Sequence, residues 1–149
     1  MKRLIAFALS LFMVIMPIPV QAEETTEPTM FREIILDNDI RIVEEIFIDT
    51  TSRSSERTAT RTESFYRSDS LIAVIAYKAT FRYDGSSVSV VSKSVTQTDT
   101  YSGWSYTQES FTSSGGTVTL TGKLKYLLIF STTTFTMSMT CDANGNISF

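Results

Sequence analysis

An all-β fold, about seven antiparallel strands joined by hairpins and either folded over as a sandwich or closed as a barrel, is predicted by three features of this 149-residue sequence. Apolar and polar side chains alternate with a period of two over long stretches, as strands with one dry face require. Turn residues interrupt the alternation every 10–15 residues or so. Ser and Thr supply 41 of the 127 residues after position 22, and Thr favours β geometry on a wet face without adding apolar surface.

The chain opens with Lys2-Arg3, an apolar run from Leu4 to Val20, and Gln21-Ala22. A short positive head, an apolar middle and small residues at Val20 and Ala22 predict a secretory signal over residues 1–22, cleaved after Ala22. Pro17 and Pro19 and the shortness of the run argue against a membrane anchor. Residues 23–39 read as an acidic leader, partly disordered, followed by a single β domain over 40–149. The first turn is expected at Asp37-Asn38-Asp39. Ile40, Ile42, Ile46 and Ile48 then fit an alternating strand broken by Glu44.

From residue 71 the alternation is cleaner. Leu71, Ala73, Ile75, Tyr77, Ala79, Phe81 and Tyr83 form one face of a strand. Asp84-Gly85-Ser86 supplies a hairpin turn, because Gly tolerates the positive φ that such turns use. A Ser/Thr/Val strand over 87–101 stops at Ser102-Gly103, and another covers 104–113 up to Gly115-Gly116. Val118, Leu120, Gly122, Leu124, Tyr126, Leu128 and Phe130 alternate with Thr and Lys. Phe135, Met137, Met139 and Cys141 do the same before the Asn144-Gly145 turn.

The segment ATFRYDGSSVSV, the Ser102-Gly103-Trp104 triplet, the strand around Gly122 and the ending MTCDANGNIS resemble a group of small, uncharacterised secreted β-rich proteins of Gram-positive bacteria. The resemblance covers Ala79 to Phe149. It implies export and a shared β fold, and it carries over no catalytic residue.

Composition excludes several chemistries. The chain has no His and one Cys. Ser-His-Asp and Cys-His catalysis, His-containing zinc sites and an intrachain disulfide are therefore all excluded. Cys141 is expected as a buried, inert thiol, with pairing between chains as the other reading. No cofactor or metal is expected. Asp142, Asn144 and Asn146 have the oxygens of a calcium loop, but Gly145 is at the wrong position for one and a hairpin turn accounts for the same residues. After Ala22 there are 11 basic and 16 acidic residues, a balance that repels nucleic acid.

Two groups of residues are candidate binding elements. Tyr101, Trp104 and Tyr106 cluster around Gly103 and suit a sugar or protein surface, or else the Trp plugs the core. Arg53, Arg57, Arg61 and Arg67 form a basic run that suits a polyanion such as a wall polymer. The alternative is pairing across strands with Glu44, Glu45 and Asp49. Carboxylate pairs for glycoside hydrolysis, such as Asp99 with Glu109, can be named, but the pattern does not single one out. The expected function is an exported, non-catalytic β domain that binds a glycan, wall polymer or protein at or beyond the cell surface. A small carboxylate-dependent hydrolase of extracellular glycans and a self-associating structural protein are the alternatives.

Overall fold

The computed structural model describes residues 28–36, 40–49, 55–127 and 131–149. The predicted signal segment 1–22, the start of the predicted leader, the expected turn at Asp37-Asn38-Asp39 and Arg53 lie outside the described residues. Nine strands form among those described: β1 (Met30–Leu36), β2 (Ile40–Asp49), β3 (Glu56–Arg67), β4 (Ser70–Tyr83), β5 (Val88–Thr100), β6 (Trp104–Ser114), β7 (Thr117–Tyr126), β8 (Ser131–Cys141) and β9 (Ile147–Ser148). They make two antiparallel sheets, one in the order β1-β2-β3-β4-β5 and the other β6-β7-β8-β9. The sheets pack face to face and do not close into a barrel. No helix among the described residues is long and apolar enough to cross a membrane.

The two-residue period is obeyed where it was strongest. On β4, Ala73, Ile75, Tyr77, Ala79 and Phe81 are all buried, and on β7 and β8 so are Val118, Leu120, Leu124, Phe135, Met137, Met139 and Cys141. Burial at this density supplies the main stabilisation, about 25 cal/mol for each Å² of apolar surface removed from water. Aromatic contacts clamp the two sheets together. Phe65 of β3 meets Phe135 of β8 at 4.7 Å between ring centroids, and Tyr77 of β4 meets Phe111 of β6 edge-on at 5.4 Å. The buried Tyr77 hydroxyl donates to the Val118 carbonyl of the opposite sheet, 3.2 Å away, so its polar tip is satisfied inside the core.

Three departures from the sequence-based expectation have physical causes. First, residues 30–36 are not leader but the edge strand β1, in register with β2 from Met30↔Ile46 to Leu36↔Ile40. Seven residue pairs with β2 hold this segment as a strand. Second, the connection from β5 to β6 is not a hairpin. Tyr101 to Gly103 carry the chain from one sheet to the other, with Ser102 at φ 54° and Gly103 at φ 84°. The turn is tight, closed by the Trp104 amide on the Tyr101 carbonyl at 3.1 Å, yet β6 pairs with β7 in the second sheet and not with β5. Third, the β4 alternation slips at Ile72. Phe65 pairs with Ala73 and Tyr66 with Leu71, which makes Ile72 the extra residue of a bulge. Ile72 is accordingly buried although strict alternation sends it outward.

Gly122 occupies an inward position of β7 for a reason of space. A Cβ there would lie 2.5 Å from Tyr106 Cε2 and 2.8 Å from Phe135 Cζ. These two rings pack 6.0 Å apart across the glycine. Gly122→Ala is expected to lower the unfolding free energy by about 1–3 kcal/mol, the usual cost of overpacking a core. An unchanged urea midpoint would show that the rings can move aside.

Candidate functional site

Strand register assigns the loops to two ends of the sandwich. The β3–β4 turn Ser68-Asp69, the Tyr101–Gly103 crossing and the start of the β7–β8 connection at Leu127 share one end. The Leu127 amide donates to the Gly103 carbonyl at 3.1 Å, and the Tyr101 amide donates to Ile72 at 3.0 Å, so the crossing is tied to both sheets. Asp84–Ser87, Gly115-Gly116 and Asp142–Asn146 occupy the other end.

The ends differ in kind. The four non-glycine residues of positive φ among the described residues are Ser68, Asp69, Ser102 and Leu127, all at the first end. Consecutive left-handed residues at Ser68-Asp69 suit a two-residue hairpin turn, where Ser and Asp are tolerated. Leu127, at φ 43°, is a bulky residue in a conformation that costs a non-glycine side chain free energy. It is also half exposed, as is Tyr101, so its apolar side chain gains little in return. Ile35, the most exposed large apolar residue described at 78%, points outward near the same end. Together with Ile40, Arg41, Ser68 and Asp69 it lines a cavity of about 380 Å³. The Arg41 guanidinium lies over the Tyr66 ring at 4.3 Å and is 3.8 Å from the Asp69 carboxylate. This end therefore presents exposed apolar side chains beside a charged, cation–π braced wall, on loops held by rigid sheets.

Of the predicted aromatic cluster, only Tyr101 is exposed. Trp104 is a core residue, 7% exposed and packed on Tyr126 at 5.3 Å. Tyr106 is half-buried against Phe135, and its buried hydroxyl has no hydrogen-bond partner among the described residues. β6 alternates, so the two aromatics that follow the crossing both turn inward. The expectation that all three form one ligand face is corrected.

The arginine run is also divided. Arg57 is half-buried, and its guanidinium lies 6.0 Å over the Tyr83 ring. Arg61 is 2% exposed and cannot reach a polymer. It lies between the sheets, where Nη2 donates to Glu44 Oε1 at 2.6 Å and to Glu63 Oε1 at 2.7 Å. Nη1 donates to the Ser138 carbonyl on β8. Arg32 pairs with the other oxygen of Glu44, and the Phe149 ring faces both guanidinium groups at 4.6 and 5.1 Å. Pairing with Glu44, the alternative open to the run, is the one Arg61 adopts.

Glu44 and Glu63 are both buried; sequence reasoning named Glu44 only as a surface pairing partner and missed Glu63. The signal was present, since Glu44 follows Ile42 and precedes Ile46, while Arg61 and Glu63 lie between Ala59 and Phe65. All are in phase with the inward positions. Register puts Glu44 directly opposite Glu63, with Arg61 diagonal to Glu44. Loss of hydration pushes the Glu63 carboxyl up to about 8 against the pull of Arg61. One guanidinium shared between two carboxylates cannot offset the burial of both.

Of the remaining residues singled out, Cys141 is buried, and burial raises its thiol above the ordinary value. The Asp142 carboxylate accepts from the Asn144 and Asn146 amides and from Asn146 Nδ2, each at 2.8 Å, which makes the loop a hydrogen-bonded turn. Asp99 lies on β5 beside Gln97, and Glu109 on β6 is ion-paired with Lys123. Among the described residues no group of three or more His, Cys, Asp or Glu is arranged to hold a metal ion. No protein-family model matches the chain, and neither a curated protein nor a solved structure matches it significantly.

Proposed function

We propose that the protein is an exported, non-catalytic β-sandwich that binds an extracellular glycan, wall polymer or protein through the loop end carrying Tyr101 and Leu127. The observation that carries this reading is the gathering, at one end, of half-exposed apolar side chains and left-handed non-glycine residues. Such features cost folding free energy and persist where the surrounding structure or a function maintains them. A tyrosine offers a flat apolar face with a polar tip, suited to stacking on a sugar ring or to anchoring a protein contact. The test is retention on insoluble cell-wall material and on immobilised glycans. A Tyr101→Ala, Leu127→Ser variant is expected to be retained at least about tenfold less, the loss of one or two anchors, with an unchanged circular dichroism spectrum. Equal retention of variant and parent would reject this end as the binding surface.

A further inference from the structure

We propose that the outer edge of β8 pairs with the same edge of a second copy of this chain, joining two sandwiches through a continuous sheet. The Cys141 amide donates to Gly116 at 2.9 Å, towards β7. Backbone groups alternate sides along a strand, and β8 pairs with β7 without a register shift. The amides and carbonyls of Thr132, Thr134, Thr136 and Ser138 therefore point to the outer edge. β9 covers only Thr140 and Cys141 there, and the Ser138 carbonyl is taken by Arg61. Among the described residues nothing else pairs with the edge from Thr132 to Thr136.

The other long edges carry devices that discourage pairing. β1 holds charges at Arg32 and Glu33. β5 has bulges at Val91 and Thr96, and Lys93 reaches across to the Phe111 carbonyl at 2.6 Å. β6 has a bulge at Glu109. β8 reads STTTFTMSMTC, without a charge, a proline or a bulge. It is the edge left unguarded.

A second copy suits that edge because β8 is self-complementary. Turning one copy about a two-fold axis through Thr134 sets Thr134 opposite Thr134 and Thr132 opposite Thr136. Each of these three pairs exchanges two backbone bonds, and no like charges meet. Threonines would face each other on the wet side, extending the hydroxyl contacts already made between Thr117 and Thr140 and between Thr119 and Ser138, each 3.0 Å.

Sedimentation velocity over a wide concentration range tests the pairing. The purified parent is expected to shift from monomer to dimer. Thr134→Lys, on an exposed outward side chain, sets two ammonium groups face to face and is expected to weaken dimerisation at least about tenfold. Ser92→Lys on the outer face of β5 should leave it unchanged. Amide exchange adds a direct readout, in which Thr132, Thr134 and Thr136 gain protection as concentration rises. A parent that stays monomeric at millimolar concentration overturns the proposal, as does a dimer indifferent to Thr134→Lys with a native circular dichroism spectrum. Neither outcome bears on binding through the loops carrying Tyr101 and Leu127, so the two proposals fail separately.

Discussion

Arg61→Ala is expected to cost about 3–5 kcal/mol of folding stability at neutral pH, the range for removing one partner of a buried ion pair. The size follows from what the side chain leaves behind. Glu44 and Glu63 are opposite one another in the β2–β3 register, 3% and 1% exposed. Without the guanidinium the buried Glu44 carboxylate keeps only Arg32, itself half exposed, as a counter-charge, and Glu63 beside it loses its donor. The Ser138 carbonyl loses its donor as well, and the space beside Phe149 empties. Urea unfolding with a fixed m-value measures the loss. A triple variant, Arg61→Met with Glu44→Gln and Glu63→Gln, is expected to recover most of it, because neutral groups of similar volume need no counter-charge. A loss below about 1 kcal/mol for Arg61→Ala would mean that the cluster is hydrated and the interior polar.

How much of this was readable in advance differs by element. β4, β7 and β8 were legible because their inward sets are almost purely apolar, so periodicity and burial coincide. β1 was not, because Phe31 and Ile35 lie on its exposed face while Arg32 points inward. An edge strand that reverses the usual polarity looks like leader until its partner is known. Glu44 was read as a break in a strand for the same reason. A charged residue in phase with isoleucines signals a break if the neighbouring strand is apolar, but a buried pair if that strand carries Arg61. The difference resides in register, which links residues 17 apart and is not a property of either segment. The crossing at Ser102-Gly103 was visible as punctuation. Its meaning, a change of sheet and not a hairpin, depends on Trp104 turning into the core. The binding end was only partly legible, because Tyr101 announces itself by type whereas Leu127 matters through its backbone angle.

Stability should also fall as pH rises from about 4 to 8, with Glu63 as the cause. Its folded-state carboxyl is held near 8 by burial, opposed by Arg61 and reinforced by Glu44, whereas in the unfolded chain it returns to the ordinary carboxyl range near 4.3. Between those values the folded protein holds a proton that the unfolded chain has released. The unfolded state then binds fewer protons, so each pH unit across the window removes up to about 1.4 kcal/mol. The contribution is complete below the unfolded value and gone above the folded one. On the acid side the sign reverses. Backbone and hydroxyl donors from Ser86 and Ser87 hold the Asp84 carboxyl below its usual range, and Asn146 does the same for Asp142. Both aspartates favour the folded state only while ionised, so their contribution disappears as pH drops through their lowered values. Stability should therefore peak a little above pH 4, where the unfolded Glu63 and the two unfolded aspartates titrate. Glu63→Gln, which keeps the shape of the protonated side chain, should flatten the alkaline limb of a plot of Tm against pH while leaving the acid limb in place. It should also shrink the pH dependence of the Arg61→Ala penalty, because that penalty grows as the second carboxylate ionises. If the Gln variant keeps the alkaline slope of its parent, the titrating group lies elsewhere and Glu63 is ionised throughout, fully matched by Arg61.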